Sequence, residues 1–164
     1  MHPAWAGAGG NWPAIDEVFD PKVVRQRSDL SCVAACGEML LKDRGININQ
    51  VVIEEFIGPA SAPEFLAWAL NELNPDSSGE WKGAFLNLPD ATQFQVFETL
   101  NNTGSWAAVL WERGARIGHM VIVDGLDEDG YVVIRDPWQG TRYIMIIDNF
   151  LQYWSQSGVY WLKK

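Results

Sequence analysis

Two cysteines and two histidines are all that the 164 residues contain, and each shortage excludes something. Two cysteines cannot build the disulfide framework of a small secreted domain. Cys32 and Cys36 stand four apart, on one face of an expected helix, where disulfide geometry is not met without distorting that helix. Both are therefore expected to be reduced, with separate jobs. His2 falls in a stretch of glycine, alanine and proline, so any cysteine–histidine chemistry must use His119. No apolar run reaches the roughly 20 residues of a membrane-spanning helix. No basic block occurs and the net charge is −9, which argues against non-specific nucleic-acid binding and against attraction to anionic membranes. The start, Met1-His2-Pro3-Ala4-Trp5, lacks the positive flank and apolar core of a signal peptide.

What is present fits one globular domain. Hydrophobic content of 48% against 20% charged places the chain far from the disordered class and gives it enough apolar surface for a core. Nine tryptophans are many for this length, so some are expected to line a groove. Residues 1–13, with Ala6-Gly7-Ala8-Gly9-Gly10, read as a flexible leader or linker, a place where a domain could be joined to a longer protein. Residues 14–164 read as the folded domain.

Helices are expected first and strands second. Helices are read from Cys32 to about Asp43, from Val51 to Ile57, from Pro63 with Phe65, Trp68, Ala69 and Leu73 inward, and after Asp90 with Phe94, Phe97 and Leu100 inward. The segment from Ile15 to Val24 has mixed character, and Trp81–Leu88 is ambiguous with one short strand as an option. Five strands follow, over Trp106–Trp111, His119–Val123, Tyr131–Ile134, Tyr143–Ile147 and Val159–Leu162, with a short helix from Phe150 to Trp154. This order implies an α+β fold with an antiparallel sheet.

One stretch carries the chemistry. Ser28, Asp29 and Ser31 are good helix caps, and the chain turns apolar at Cys32. A cysteine in the first turn of a buried helix meets free N–H groups and partial positive charge, both of which favour the thiolate, the nucleophilic form. His119 opens a strand after Gly118, and Asp136 ends the following strand, before Pro137. The start of one hairpin strand faces the end of its neighbour, so His119 and Asp136 are expected to meet, the carboxylate fixing the imidazole tautomer. Asp124 is a rival carboxylate on the strand of His119 itself. Trp138, two residues past Asp136, is either core or a shield for the pair. Cys36, one turn deeper than Cys32, reads as core.

These residues resemble the papain-like cysteine peptidases. The likeness is closest to the double-glycine peptidases that process bacteriocin leaders and to papain-fold domains of bacterial toxins. Cys32-Val33-Ala34-Ala35-Cys36 is similar to the Cys-Gly-x-x-Cys run of the leader peptidases, with Val33 where glycine is usual. Gln26 precedes Cys32 by six positions, the spacing of the oxyanion-hole glutamine in papain-like enzymes. Gly118-His119 and Ile134-Arg135-Asp136-Pro137 complete the pattern. The resemblance implies a papain-like fold, its N-terminal helical half carrying the cysteine helix and packed on a C-terminal antiparallel sheet. It implies a thiol hydrolase with Cys32 as nucleophile, His119 as acid and base, Asp136 as its orienting group and Gln26 as oxyanion donor. It also implies a protein or peptide substrate, no cofactor and no metal. No membrane or transporter portion is seen, so the setting expected is a secreted or delivered bacterial effector acting in a reducing cytoplasm, with a cognate immunity or inhibitor protein.

Three other readings use the same residues. A glutamine deamidase or acyl transferase would share the first half of the chemistry. A non-catalytic binding module would keep the fold without turnover. A zinc site of Cys32, Cys36, His119 and Asp136 has workable ligand types but leaves Gln26 without a role.

Overall fold

The computed structural model describes residues 11–59, 61–86, 88–111 and 118–164. The chain runs β1 (Ile15–Phe19), α1 (Cys32–Lys42), α2 (Gln50–Ile57), α3 (Pro63–Leu73), β2 (Gly79–Phe85), α4 (Gln93–Asn101), β3 (Trp106–Leu110), β4 (His119–Leu126), β5 (Val132–Asp136), β6 (Thr141–Met145), α5 (Ile147–Tyr153) and β7 (Trp154–Lys163). The strands form one sheet in the order β1-β6-β5-β4-β3-β7-β2, and every pairing is antiparallel. The fold is α+β, and the five strands expected in the second half all form.

The sheet has a core on each face because side chains alternate along a strand. Met120 and Ile122 of β4 pack with Val33, Cys36, Met39 and Leu40 of α1 and with Leu66 and Leu70 of α3. Val121 and Val123, one residue out of phase, pack with Phe97 of α4, Phe150 of α5, Trp106 and Tyr143. Strand β4 is therefore apolar on both faces, and its near-continuous run Met120-Val121-Ile122-Val123 is what burial on both sides requires.

Several local expectations are corrected. The mixed segment after Ile15 contains an edge strand, β1, broken by a bulge between Ile15 and Val18, where Asp16 takes φ 56°. On α3 the inward residues are Leu66, Ala67, Ala69 and Leu70, while Phe65 and Trp68 lie 61% and 49% exposed. That helix is apolar on most of its circumference, so periodicity singles out no face. Close approach decides, since β2 passes so near the start of α3 that a side chain on Gly83 would collide with the Pro63 backbone, and the small Ala67 faces it. Trp68 packs instead on Phe56 of α2, ring centroids 5.9 Å apart. Helix α4 starts from Thr92 in a capping box with Gln95, not from Asp90, and its Phe94 lies on the exposed side, stacked on the buried Phe97. Residues 1–10 of the expected leader, His2 included, lie outside the described residues. Trp12, also placed in that leader, is 3% exposed and belongs to the core.

Candidate active site

The loop before α1 is held from two sides, and that fixes where Cys32 sits. The Gln50 amide at the start of α2 donates to Arg25 O at 2.8 Å and accepts from Arg27 N at 3.1 Å. Glu54, one turn on, accepts from Ser31 Oγ at 2.7 Å and from Arg27 Nη2 at 2.6 Å. Opposite, Gln26 N donates to Pro137 O at 2.7 Å, tying the loop to the residue after Asp136. The expected side-chain cap on α1 does not form: Ser31 occupies the cap position, but its hydroxyl engages Glu54 and Ser28. The first-turn N–H groups of α1, Cys32 among them, are thus left without a side-chain cap.

His119 enters the sheet directly after Gly118, where a side chain would sit 2.5 Å from Val109 Cγ1 on β3; glycine there lets the strand begin. In the β4–β5 register Ile122 pairs with Arg135 and Val123 with Ile134. Continued by one residue, that register sets Asp136 across from Val121, on the same face as His119 and diagonal to it. Diagonal neighbours lie within reach of long side chains, and His119 Nε2 stands 2.7 Å from Asp136 Oδ1. The expected meeting of the two is what the structure shows.

Asp136 is fully buried and accepts hydrogen bonds from the Trp138 N–H at 2.9 Å and the Tyr143 hydroxyl at 2.7 Å as well. Burial pushes its carboxyl up, but the His119 charge and these donors outweigh burial and hold it below the usual value. An ionised carboxylate only accepts, so His119 carries its proton on Nε2 toward Asp136, and Nδ1 is left for Cys32. Burial pulls the imidazole down, but Asp136 and then Cys32 overcome it and raise His119 to about 10. Cys32 follows the same logic with opposite sign: burial pushes its thiol up, and the hydrogen bond to His119, the His119 charge and a backbone bond from Met120 bring it below an ordinary thiol. Cys36, fully buried with its Sγ donating to Met120 O at 3.3 Å, is pushed well up by burial, with no histidine to oppose it. The two cysteines separate as their places on the helix imply.

A cleft of about 400 Å³ opens onto Cys32 and His119, lined also by Leu30, Val33, Ala62, Pro63 and Trp138. Its volume suits a short stretch of substrate. Trp138 meets the His119 ring edge-on, centroids 6.2 Å apart, and stands where a shield would. A larger cavity of about 740 Å³ lies at the far end of α1, around Lys42, Asp43 and Arg44, and holds none of the four site residues. Gln26 is buried; its Nε2 donates to Ser28 O at 2.8 Å and its Oε1 has no partner. The rival carboxylate Asp124 is spent on Ser105 and Arg135. Among the described residues no group of three or more His, Cys, Asp or Glu is arranged to hold a metal ion, and Cys36 turns its thiol to a carbonyl. Two contributors escaped the sequence reading. Tyr143 looked like any strand tyrosine, and Trp12 lay in glycine-rich surroundings.

Known proteins resemble this chain in sequence and in fold. Residues 19–160 match the Peptidase_C39 like family. Cysteine protease effector 1 of Escherichia coli is 41% identical over 154 residues, which is 94% of this chain and 29% of that protein; the chain spans less than a third of that relative's length. The peptidase domain of Streptococcus ComA, a bi-functional ABC transporter involved in a quorum-sensing pathway, superposes with a TM-score of 0.67 at 17% identity, over 86% of this chain and 97% of that one. A double glycine motif protease from an AMS/PCAT transporter, solved with the leader peptide, gives 0.64 at 16% identity over 100% and 99%. At such identities the structural likeness speaks for the fold alone.

Proposed function

This chain belongs to the Peptidase_C39 like family, cysteine peptidases of papain-like fold, and we propose that Cys32, His119, Asp136 and Gln26 are its catalytic residues. One observation carries the reading: His119 stands 2.7 Å from the buried Asp136 carboxylate and lines the same cleft as the Cys32 thiol. Cys32 Sγ attacks the carbonyl carbon of a peptide bond. His119 holds the thiol proton on Nδ1 and passes it to the departing amine, leaving an acyl-enzyme. Water then attacks the thioester, His119 taking its proton, and the carboxylic acid leaves as Cys32 is restored. Asp136 keeps the imidazole in the productive tautomer throughout. The Cys32 backbone N–H and the second amide hydrogen of Gln26 Nε2 donate to the oxyanion; losing one such donor costs about 10²–10³ in turnover.

A peptide occupies the small, apolar cleft beside Cys32. The resemblance to an effector protease supports delivery as an effector; a reducing target cytoplasm and a dedicated immunity or inhibitor protein belong to the same proposal. The folded unit reads as residues 14–164 joined by the Trp12 segment. The test is a mass-spectrometric survey of a bacterial lysate treated with the chain or with Cys32→Ala. New chain termini that depend on Cys32 are expected. Mass gains of about one unit without new termini would mean a side-chain deamidase and overturn the peptidase reading. Unchanged effects with Cys32→Ala would mean a binding module.

A further inference from the structure

The His119–Asp136 pair does not end at Asp136. Behind it, the Tyr143 hydroxyl donates to Asp136 Oδ2 at 2.7 Å and accepts from Trp12 Nε1 at 2.9 Å. Both side chains are buried, at 1% and 3% exposure. The direction of this chain of bonds is fixed by chemistry. An indole N–H can only donate, so the Tyr143 oxygen accepts from Trp12 and its one hydrogen is turned to Asp136. Trp12 also lies against His119 itself, ring centroids 5.9 Å apart at 30°, and against Tyr153 at 6.0 Å. Together with Trp138, at 6.2 Å and nearly perpendicular, this sets two indoles beside the imidazole. Neighbouring Asn11 lines the substrate cleft. Trp12 lies ahead of the stretch 19–160 that matches the family and ahead of β1.

We propose that Trp12 and Tyr143 are positioning residues of the active site, a relay that aims Asp136 at His119 and makes the segment before β1 a wall of the catalytic centre. The proposal rests on the peptidase reading above. Tyr143 supplies Asp136 with a donor that rotation would withdraw only by turning its hydrogen against the Trp12 N–H. Trp12 additionally keeps water from one side of the imidazole, where a weaker dielectric strengthens the His119–Asp136 attraction. The Tyr143 donor is among the groups that hold the Asp136 carboxyl down.

The test uses the full chain with Tyr143→Phe and Trp12→Phe, both of which keep an apolar ring in place. The Asp136 carboxyl is followed by ¹³C NMR across pH, and Cys32 alkylation by iodoacetamide is measured at pH 6 with Cys36 as internal control. Tyr143→Phe is expected to raise the Asp136 midpoint by about one pH unit, as loss of a hydrogen bond to a charged group requires, and to slow Cys32 alkylation roughly tenfold. Trp12→Phe is expected to do the same to a lesser degree. A fall in melting temperature with the Asp136 midpoint and the Cys32 rate unchanged would reduce both residues to packing and overturn the proposal. The peptidase reading fails separately, if wild-type Cys32 reacts as an ordinary thiol that is indifferent to His119→Ala.

Discussion

Arg135 and Asp136 are neighbours on β5 and point to opposite faces of the sheet, and each is the buried centre of a charge cluster. Arg135 is clamped by Asp43 at 2.7 and 3.1 Å and by Asp124 at 2.8 and 2.9 Å. Arg142 joins the same carboxylate, with Nη1 3.7 Å from Asp124. Burial alone would lower the guanidinium, but these four bonds outweigh it and drive its pKa up; the group never changes charge in water. The Asp136 cluster differs at one end. Its donors on one side are fixed, while on the other His119 leads to a thiol at the floor of an open cleft. A saturated cluster between rigid partners holds elements together. A cluster that ends in a thiol facing a cleft can do chemistry, because its proton has somewhere to go.

Removing the open cluster's carboxylate should have the largest effect. Asp136→Asn is expected to cut turnover on any cleaved peptide by roughly 10²–10⁴, since the imidazole loses its tautomer control, with the protein still folded by circular dichroism. The same variant carries a pH signature. Asp136 is held low, so its contribution to stability is complete above about pH 4 and is lost as pH falls through its depressed value. His119 is raised to about 10, so its contribution is complete below about pH 6.5 and fades as pH rises toward that value. Denaturant unfolding should therefore show the wild type ahead of Asp136→Asn by more at pH 5–6 than at pH 9.5. A gap that widens at pH 9.5 would contradict the assignment.

The saturated cluster should answer differently. Arg135→Met leaves Asp43 and Asp124 facing each other, but both carboxylates are partly exposed, at 38% and 20%, so water relieves some of the cost. A loss of about 2 kcal/mol is expected, and a fall in melting temperature of about 4–8 °C, with turnover per folded molecule unchanged. A Cys32 alkylation rate that also fell would show that the two clusters are coupled through β5. The smallest effect belongs to Arg44, whose guanidinium pairs with Asp76 at 3.1 Å and lies 3.9 Å over the Trp161 ring. Arg44→Ala should cost about 1 kcal/mol in denaturant unfolding, and none of it should reach the active site.

What could be read from the sequence follows from the range of the forces. Cys32 at a helix start, His119 and Asp136 at facing hairpin ends, and the five later strands rest on local pattern: caps, turn residues and alternation between neighbouring strands. The helix faces were harder. Phe65 and Trp68 stand outside because Gly83 and Ala67 allow β2 to approach so closely, and a helix apolar on most sides cannot signal which face will be pressed. Edge strand β1 was hidden by its bulge, which breaks the alternation that marks a strand.

The sequence by itself determined the chemical inventory: a cysteine at a helix start, a histidine opening a later strand, and a carboxylate one hairpin away. Only the tertiary structure decided how that inventory is tuned. It spent the Ser31 hydroxyl on Glu54 rather than on a cap. It turned Arg135 away from the site and Asp136 into it, and brought Trp12 across 131 positions to Tyr143. Those outcomes depend on contacts between residues far apart in the chain, each settled by which packing excludes water and leaves the buried charges paired.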